Sequence, residues 1–120
     1  MTAASFIVIA LGGALGAGLR YLLERWITVR QRGDLPWGVF AVNVIGSAIA
    51  GVVAGGTAGL LRTFLLVGIC GALTTYSGFG AAVRRLWSSD RRSAWITIVG
   101  MTGTCIAVAA LAYVVVNRAS

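Results

Sequence analysis

Lysine and histidine are both missing from this 120-residue chain, and acid is scarce: Glu24, Asp34 and Asp90 stand against ten basic residues, all arginine. Without histidine there is no nucleophile–base pair, and no glycine loop has the spacing that cradles phosphate, so enzymatic chemistry has no foothold. Two cysteines, Cys70 and Cys105, are too few for a disulfide framework and lack metal-ligand spacing. Both lie inside apolar runs and read as small apolar fillers. Proline occurs once, at Pro36, directly before an apolar run, a normal helix-start position. Charged residues make up 11% of the chain and hydrophobic ones 58%, whereas soluble domains carry about 25% charged residues. The net charge of +7 would suggest nucleic acid in a soluble protein. Here the arginines sit between apolar runs, where they set topology against the anionic leaflet of a cell membrane, and no nucleic-acid partner is expected.

What is present is four apolar runs, at about residues 3–23, 37–60, 63–83 and 94–116. Each is about 20 residues or slightly longer, enough at about 1.5 Å per residue to cross a hydrocarbon core of about 30 Å. The expectation is an all-α membrane protein forming a single domain over residues 1–120. The first run has no basic segment ahead of it and is expected to remain as a span rather than a cleaved signal. The connections are a polar loop from Glu24 to Pro36, a tight turn near Leu61–Arg62, and the stretch Arg84–Ser93. Trp26, Trp37, Trp87 and Trp95 fall beside span ends, as an interfacial aromatic belt requires. Small residues recur every fourth position at Gly12 and Gly16, at Ala14 and Gly18, and through Ser47, Gly51, Gly55 and Gly59. Lipid offers no hydrophobic drive between helices, so such stripes imply close backbone packing. The first and third connections, with the span ends beside them, carry Arg25, Arg30, Arg32, Arg84, Arg85, Arg91 and Arg92, while the side of the termini carries Arg62 and Arg118. The positive-inside rule then puts both termini outside.

Polar residues at membrane depth are costly, and three features stand out. Arg20 near the end of the first run either snorkels to the interface or forms an electropositive vestibule that gathers anions. Asn43, inside the second run, either bonds a neighbouring helix or offers its NH2 group to a desolvated anion. In "GALTTYSGFG", Gly71 to Gly80, Thr74, Thr75, Tyr76 and Ser77 follow one another. That stretch is either a helix whose hydroxyls bond back to its own carbonyls or a helix break lining a cavity. At a break, exposed carbonyls can hold a cation. Tyr76 and Phe79, three apart on the resumed helix, could turn their positive ring edges toward a passing anion. No carboxylate lies within any span, which disfavours a small multidrug-type four-helix transporter, whose cargo and proton compete for a buried acid.

The segments "GGALGAGLRY", "PWGVFAVNVIGSAIAG" and "GICGALTTYSGF" occur in order at three of the spans, and with them the chain resembles the Fluc/CrcB fluoride channel family along essentially its whole length. The resemblance implies four-helix subunits with a break in the third helix, assembled as an antiparallel, dual-topology dimer. It implies two narrow pores through which fluoride leaves the cytoplasm passively. Asn43, Tyr76, Phe79 and Ser77 would line the fluoride pore, Arg20 its vestibule. The main-chain carbonyls of Gly71 and Thr74 would hold a structural, untransported Na+ at the dimer's centre. Three positions depart from the family pattern. Tyr76 replaces a phenylalanine, Gly78 replaces a hydroxyl residue, and Ala82 stands where an acid is common. These departures imply that one of the pores this subunit lines is altered, and with the arginine bias they point to a heterodimer with a similar subunit of opposite orientation; the alternative reading is a poorly conducting partner subunit.

Overall fold

The computed structural model describes residues 2–33 and 35–119. It consists of α1 (Ala3–Arg30), α2 (Trp37–Gly56), α3 (Gly59–Ser89) and α4 (Arg91–Ala119). Among the described residues these four helices are long and apolar enough to cross a membrane, and the long axis of the bundle is 46 Å.

The helices run past the ends of the apolar runs. α1 extends through Glu24–Arg30, so most of the expected polar loop is helix. Glu24, Arg25 and Arg30 are good helix formers, and the headgroup layer, unlike hydrocarbon, solvates them. Past α1, Gly33 takes φ +97° and the Gln31 side-chain amide donates to the Leu35 carbonyl (2.8 Å). The turn between α2 and α3 is at Thr57–Ala58 rather than at Leu61–Arg62, because Gly59 takes the left-handed backbone (φ +69°) that turns the chain. Residue 90 alone separates α3 from α4: Asp90 caps α4, accepting from Arg92 N–H (3.1 Å) and Ser93 Oγ (2.7 Å).

The small residues divide the packing between them. Gly12 and Gly16 let α1 touch the backbone of α3; a Cβ at Gly12 would lie 2.7 Å from the Phe64 carbonyl oxygen and 2.9 Å from Gly68 Cα. Gly51 seats α2 against Ala109 and Ala112 of α4, and Gly55 does so against Tyr113 and Val116. Gly18 faces open space, so the Ala14–Gly18 pair does not take part. Only a thin core is closed off, with Val42, Leu73, Leu86 and Ala94 at 0–2% exposure. Of the apolar window of α4, 6% is buried within the chain. Such a surface suits lipid or another subunit, not water.

Because successive helices alternate in direction, both arginine-rich junctions lie at one end of the bundle. There Glu24, Gln31 and Arg85 line one cavity. Trp26, Trp37, Trp87 and Trp95 stand half-exposed at the same end. Arg30 stacks on Trp26 (4.6 Å) and Arg91 on Trp87 (4.8 Å), an arrangement that places guanidinium and indole together at the headgroup level.

Candidate functional site

α3 is not a continuous helix. Its first limb ends at Leu73, Thr74 and Thr75 are extended (ψ 151° and 113°), and a second limb begins at Tyr76. Ahead of the break, residues Thr63–Cys70 are wound as a π-helix, a local widening common near functional sites. The last regular rung is Thr74 N–H to the Cys70 carbonyl (3.0 Å), doubled by Thr74 Oγ1 to the same oxygen (2.8 Å). Thus one threonine does bond back to its own helix, and the break follows immediately.

Two rungs that would have bridged the gap are taken over by side chains. Thr75 N–H, which in a continued helix would donate to Gly71, donates instead to Asn43 Oδ1 at 2.7 Å. Gly78 N–H, which would donate to Thr74, goes to Thr75 Oγ1 at 2.9 Å and so caps the second limb. The Gly71 and Thr74 carbonyls lose these two partners, and the Ala72 and Leu73 carbonyls likewise lose the N–H groups of Tyr76 and Ser77, which open the second limb. Asn43 completes the junction by donating Nδ2 to the Thr75 carbonyl (3.3 Å) and to Met101 Sδ (3.4 Å). Its amide therefore acts as a substitute peptide group, reaching from α2 to hold the break open. Beneath it, Gly46 is in contact with the Thr74 methyl, where any side chain would intrude.

Asn43, Ser47, Thr74, Thr75, Tyr76, Phe79, Met101, Thr102 and Cys105 surround a cavity of about 440 Å³ at the break. No charged side chain is among these lining residues. The Tyr76 and Phe79 rings lie 6.1 Å apart at 45°, and Tyr76 is 86% exposed, its ring held by little within the chain. Ser77 is exposed, its Oγ 3.3 Å from Thr75 Oγ1, and is not among the residues lining the cavity. Arg20 is half-buried on α1, one turn past the contact of Gly16 with α3, and does not line the cavity. Gly78 does not line it either: a Cβ there would meet Thr75 Cγ2 at 2.8 Å and Val39 at 3.5 Å.

Four lining residues escape a reading of the sequence. Ser47 belongs to the small-residue stripe and looks like packing. Met101, Thr102 and Cys105 share one face of α4 by their spacing, but that helix carries no local motif to draw attention. The second limb also presents its N-terminus, the positive end of the helix dipole, at the break. Hydroxyls, an amide, ring edges and a helix N-terminus are all partial positive charges, and together they suit a small anion stripped of water.

An interrupted membrane helix whose gap is held by an uncharged amide defines a multi-pass, all-helical membrane protein of the channel and transporter type. The family described as CrcB-like protein, Camphor Resistance (CrcB), matches residues 7–116, and the chain belongs to that family. It is 34% identical over 126 aligned positions to the Fluoride-specific ion channel FluC of Paramagnetospirillum magneticum, covering 95% of this chain and 98% of that protein. It is 39% identical over 97 positions to the FluC of Hahella chejuensis, covering 76% of each. Against FluC 1 of Nocardia farcinica it is 48% identical over 80 residues, which span 66% of this chain and 56% of that protein.

Proposed function

We propose that the chain is a subunit of a fluoride-selective channel, which lets fluoride leave the cytoplasm passively. The break in α3, pinned by Asn43 and opening on a cavity of uncharged donors, carries this reading; the names of its relatives agree with it. Fluoride is small and strongly hydrated, so a pore has to replace its water with directed donors. Thr75, Thr102 and Ser47 supply hydroxyl groups, Tyr76 and Phe79 supply ring edges, and Asn43 can turn to the ion the N–H that rests on the weak acceptor Met101 Sδ. Each is weak alone, so the ion can move on rather than being trapped, as it would be by a buried arginine.

The exposed Tyr76 and the lightly buried faces of α1 and α4 support a dimer in which a second subunit closes each pore, antiparallel as in the family. The carbonyls of Gly71 and Thr74, released from the helix ladder, are hard oxygen donors suited to Na+. Gly71 leaves the approach open, since a Cβ there would meet nothing nearer than the Leu66 carbonyl at 4.0 Å. A sodium ion bound there would supply a fixed positive charge linking the two breaks. The arginine-rich end is cytoplasmic by the positive-inside rule, with the termini outside.

A second reading, that this chain is one half of a heterodimer and conducts poorly, is favoured by that same arginine bias, which opposes insertion of half of the copies upside down. The test is fluoride-driven potential in liposomes holding this chain alone, then together with a similar subunit. Efflux that disappears in N43A and F79A supports the pore. Robust efflux from the chain alone removes the need for a partner, and efflux indifferent to both substitutions refutes the pore reading.

A further inference from the structure

The cavity at the break adjoins a second one. Tyr76, Ser77, Gly80, Ala81, Arg84, Arg85 and Ser88 line a groove of about 630 Å³ along the second limb of α3. Tyr76 belongs to both linings, so the two cavities meet at this residue. The groove follows one helical face: the opposite face buries Ala82 and Leu86 in the bundle. Gly80 leaves it unobstructed, with nothing within 4 Å of where a Cβ would stand. Its far end lies at the arginine-rich edge of the bundle, and its only charged lining residues are two arginines.

We infer that this groove is the cytoplasmic access route to the pore, with Arg84 as the group that gathers fluoride at its mouth and Tyr76 as the ring the ion passes to reach Asn43. This rests on the fluoride-channel reading above. Arg84 is exposed and stands eight residues, about 12 Å along the helix axis, from Tyr76. At that distance a single guanidinium attracts the ion without coordinating it at the narrow point, so it raises local concentration and does not hold the ion back. Arg85 lines both this groove and the cavity beside Glu24, and so has a second neighbourhood to serve. Arg20 was the arginine that the sequence offered for a vestibule; the groove assigns that work on this side to Arg84 instead.

The experiment is initial fluoride efflux from liposomes loaded with 10–300 mM background salt (~10 to ~300 mM, spanning Debye lengths from about 30 Å to below 10 Å). Wild type, R84Q, R84E and R84K are compared, with R62Q at the other end as control. At low salt R84Q is expected to slow efflux at subsaturating fluoride about twofold and R84E about threefold, by Coulomb's law in water at about 12 Å. R84K and R62Q stay near wild type, and the differences close at high salt. Equal rates for wild type and R84E at low salt would overturn the assignment, as would a loss that R84K shares and salt does not change, since that is structural. No efflux from wild type, with or without a second subunit, would overturn the channel reading itself.

Discussion

Gly46 decides whether the break can form, and Gly46→Ala should expose that. The Cβ it adds falls on the Thr74 methyl, with Thr74 Cβ at 3.6 Å and the Thr74 nitrogen at 3.8 Å. Gly46 is buried, so the added methyl has no room outward. Thr74 could escape by rotating its side chain, but its hydroxyl would then leave the Cys70 carbonyl, a 2.8 Å bond that ends the first limb. Overpacking of this kind costs about 1–3 kcal/mol, and the lost hydrogen bond about 0.5–1.5 kcal/mol if the side chain rotates instead. Between the two routes about 0.5–3 kcal/mol is expected, and the displaced backbone adjoins Thr75, which Asn43 holds.

Because the clash involves only the methyl, Thr74→Ser removes it while keeping the hydroxyl. The double variant G46A/T74S should regain most of the stability that G46A loses, a coupling of about 0.5–3 kcal/mol. Thermal unfolding in detergent gives the stability, and fluoride efflux from liposomes gives the function of the same preparations. A neutral G46A, or a double variant whose two effects simply add, would refute the claim that Gly46 makes space for the break.

Asn43→Ala should lower fluoride efflux by about tenfold or more, because Thr75 N–H then lacks its acceptor, at a cost of about 1–3 kcal/mol; amide hydrogen exchange at Thr75 should quicken with it, and unchanged exchange would argue against the pinning role. Thr102→Val keeps the shape and removes the hydroxyl, so efflux should fall with little change in unfolding temperature; equal efflux would take Thr102 out of the pore lining. Tyr76→Phe keeps the ring edge and should retain efflux, whereas loss of efflux would give the phenol oxygen a role of its own. At Asp90, chiefly the Ser93 hydroxyl, and also the Arg92 backbone and charge, hold the carboxyl below the usual aspartate range. A lowered folded value means stability present above the unfolded pKa and lost as pH falls through the folded one. Melting temperatures below about pH 4 should therefore fall less steeply in D90N than in wild type, and parallel curves would remove Asp90 from the pH response.

The four spans were legible because apolar length is a one-dimensional property; the crowded glycines and hydroxyls left the break as one of two readings, and the family resemblance pointed to it. The helix ends were less legible. Glu24–Arg30 is polar yet helical, since composition reports where hydrocarbon stops and not where the backbone ladder does. Asn43 marks a further boundary of the same kind. Its depth announced that it needed a partner, but both partners it could be given, a helix or an anion, were chemically sound. Only the fold shows the amide bonded through both Oδ1 and Nδ2 to the backbone of Thr75, with Nδ2 also donating to Met101 Sδ. That geometry gives Asn43 a job prior to any ion. The carbonyls of Gly71 and Thr74 are released because an amide thirty-odd residues away and a threonine hydroxyl have taken the two N–H groups that would have claimed them. The carbonyl cradle proposed for Na+ has no residue type of its own, because it would be made of whatever backbone the ladder abandons. Sequence can therefore point to such a site only through the side chains that do the taking, here Asn43 and Thr75, and through the glycine, Gly46, that lets them approach.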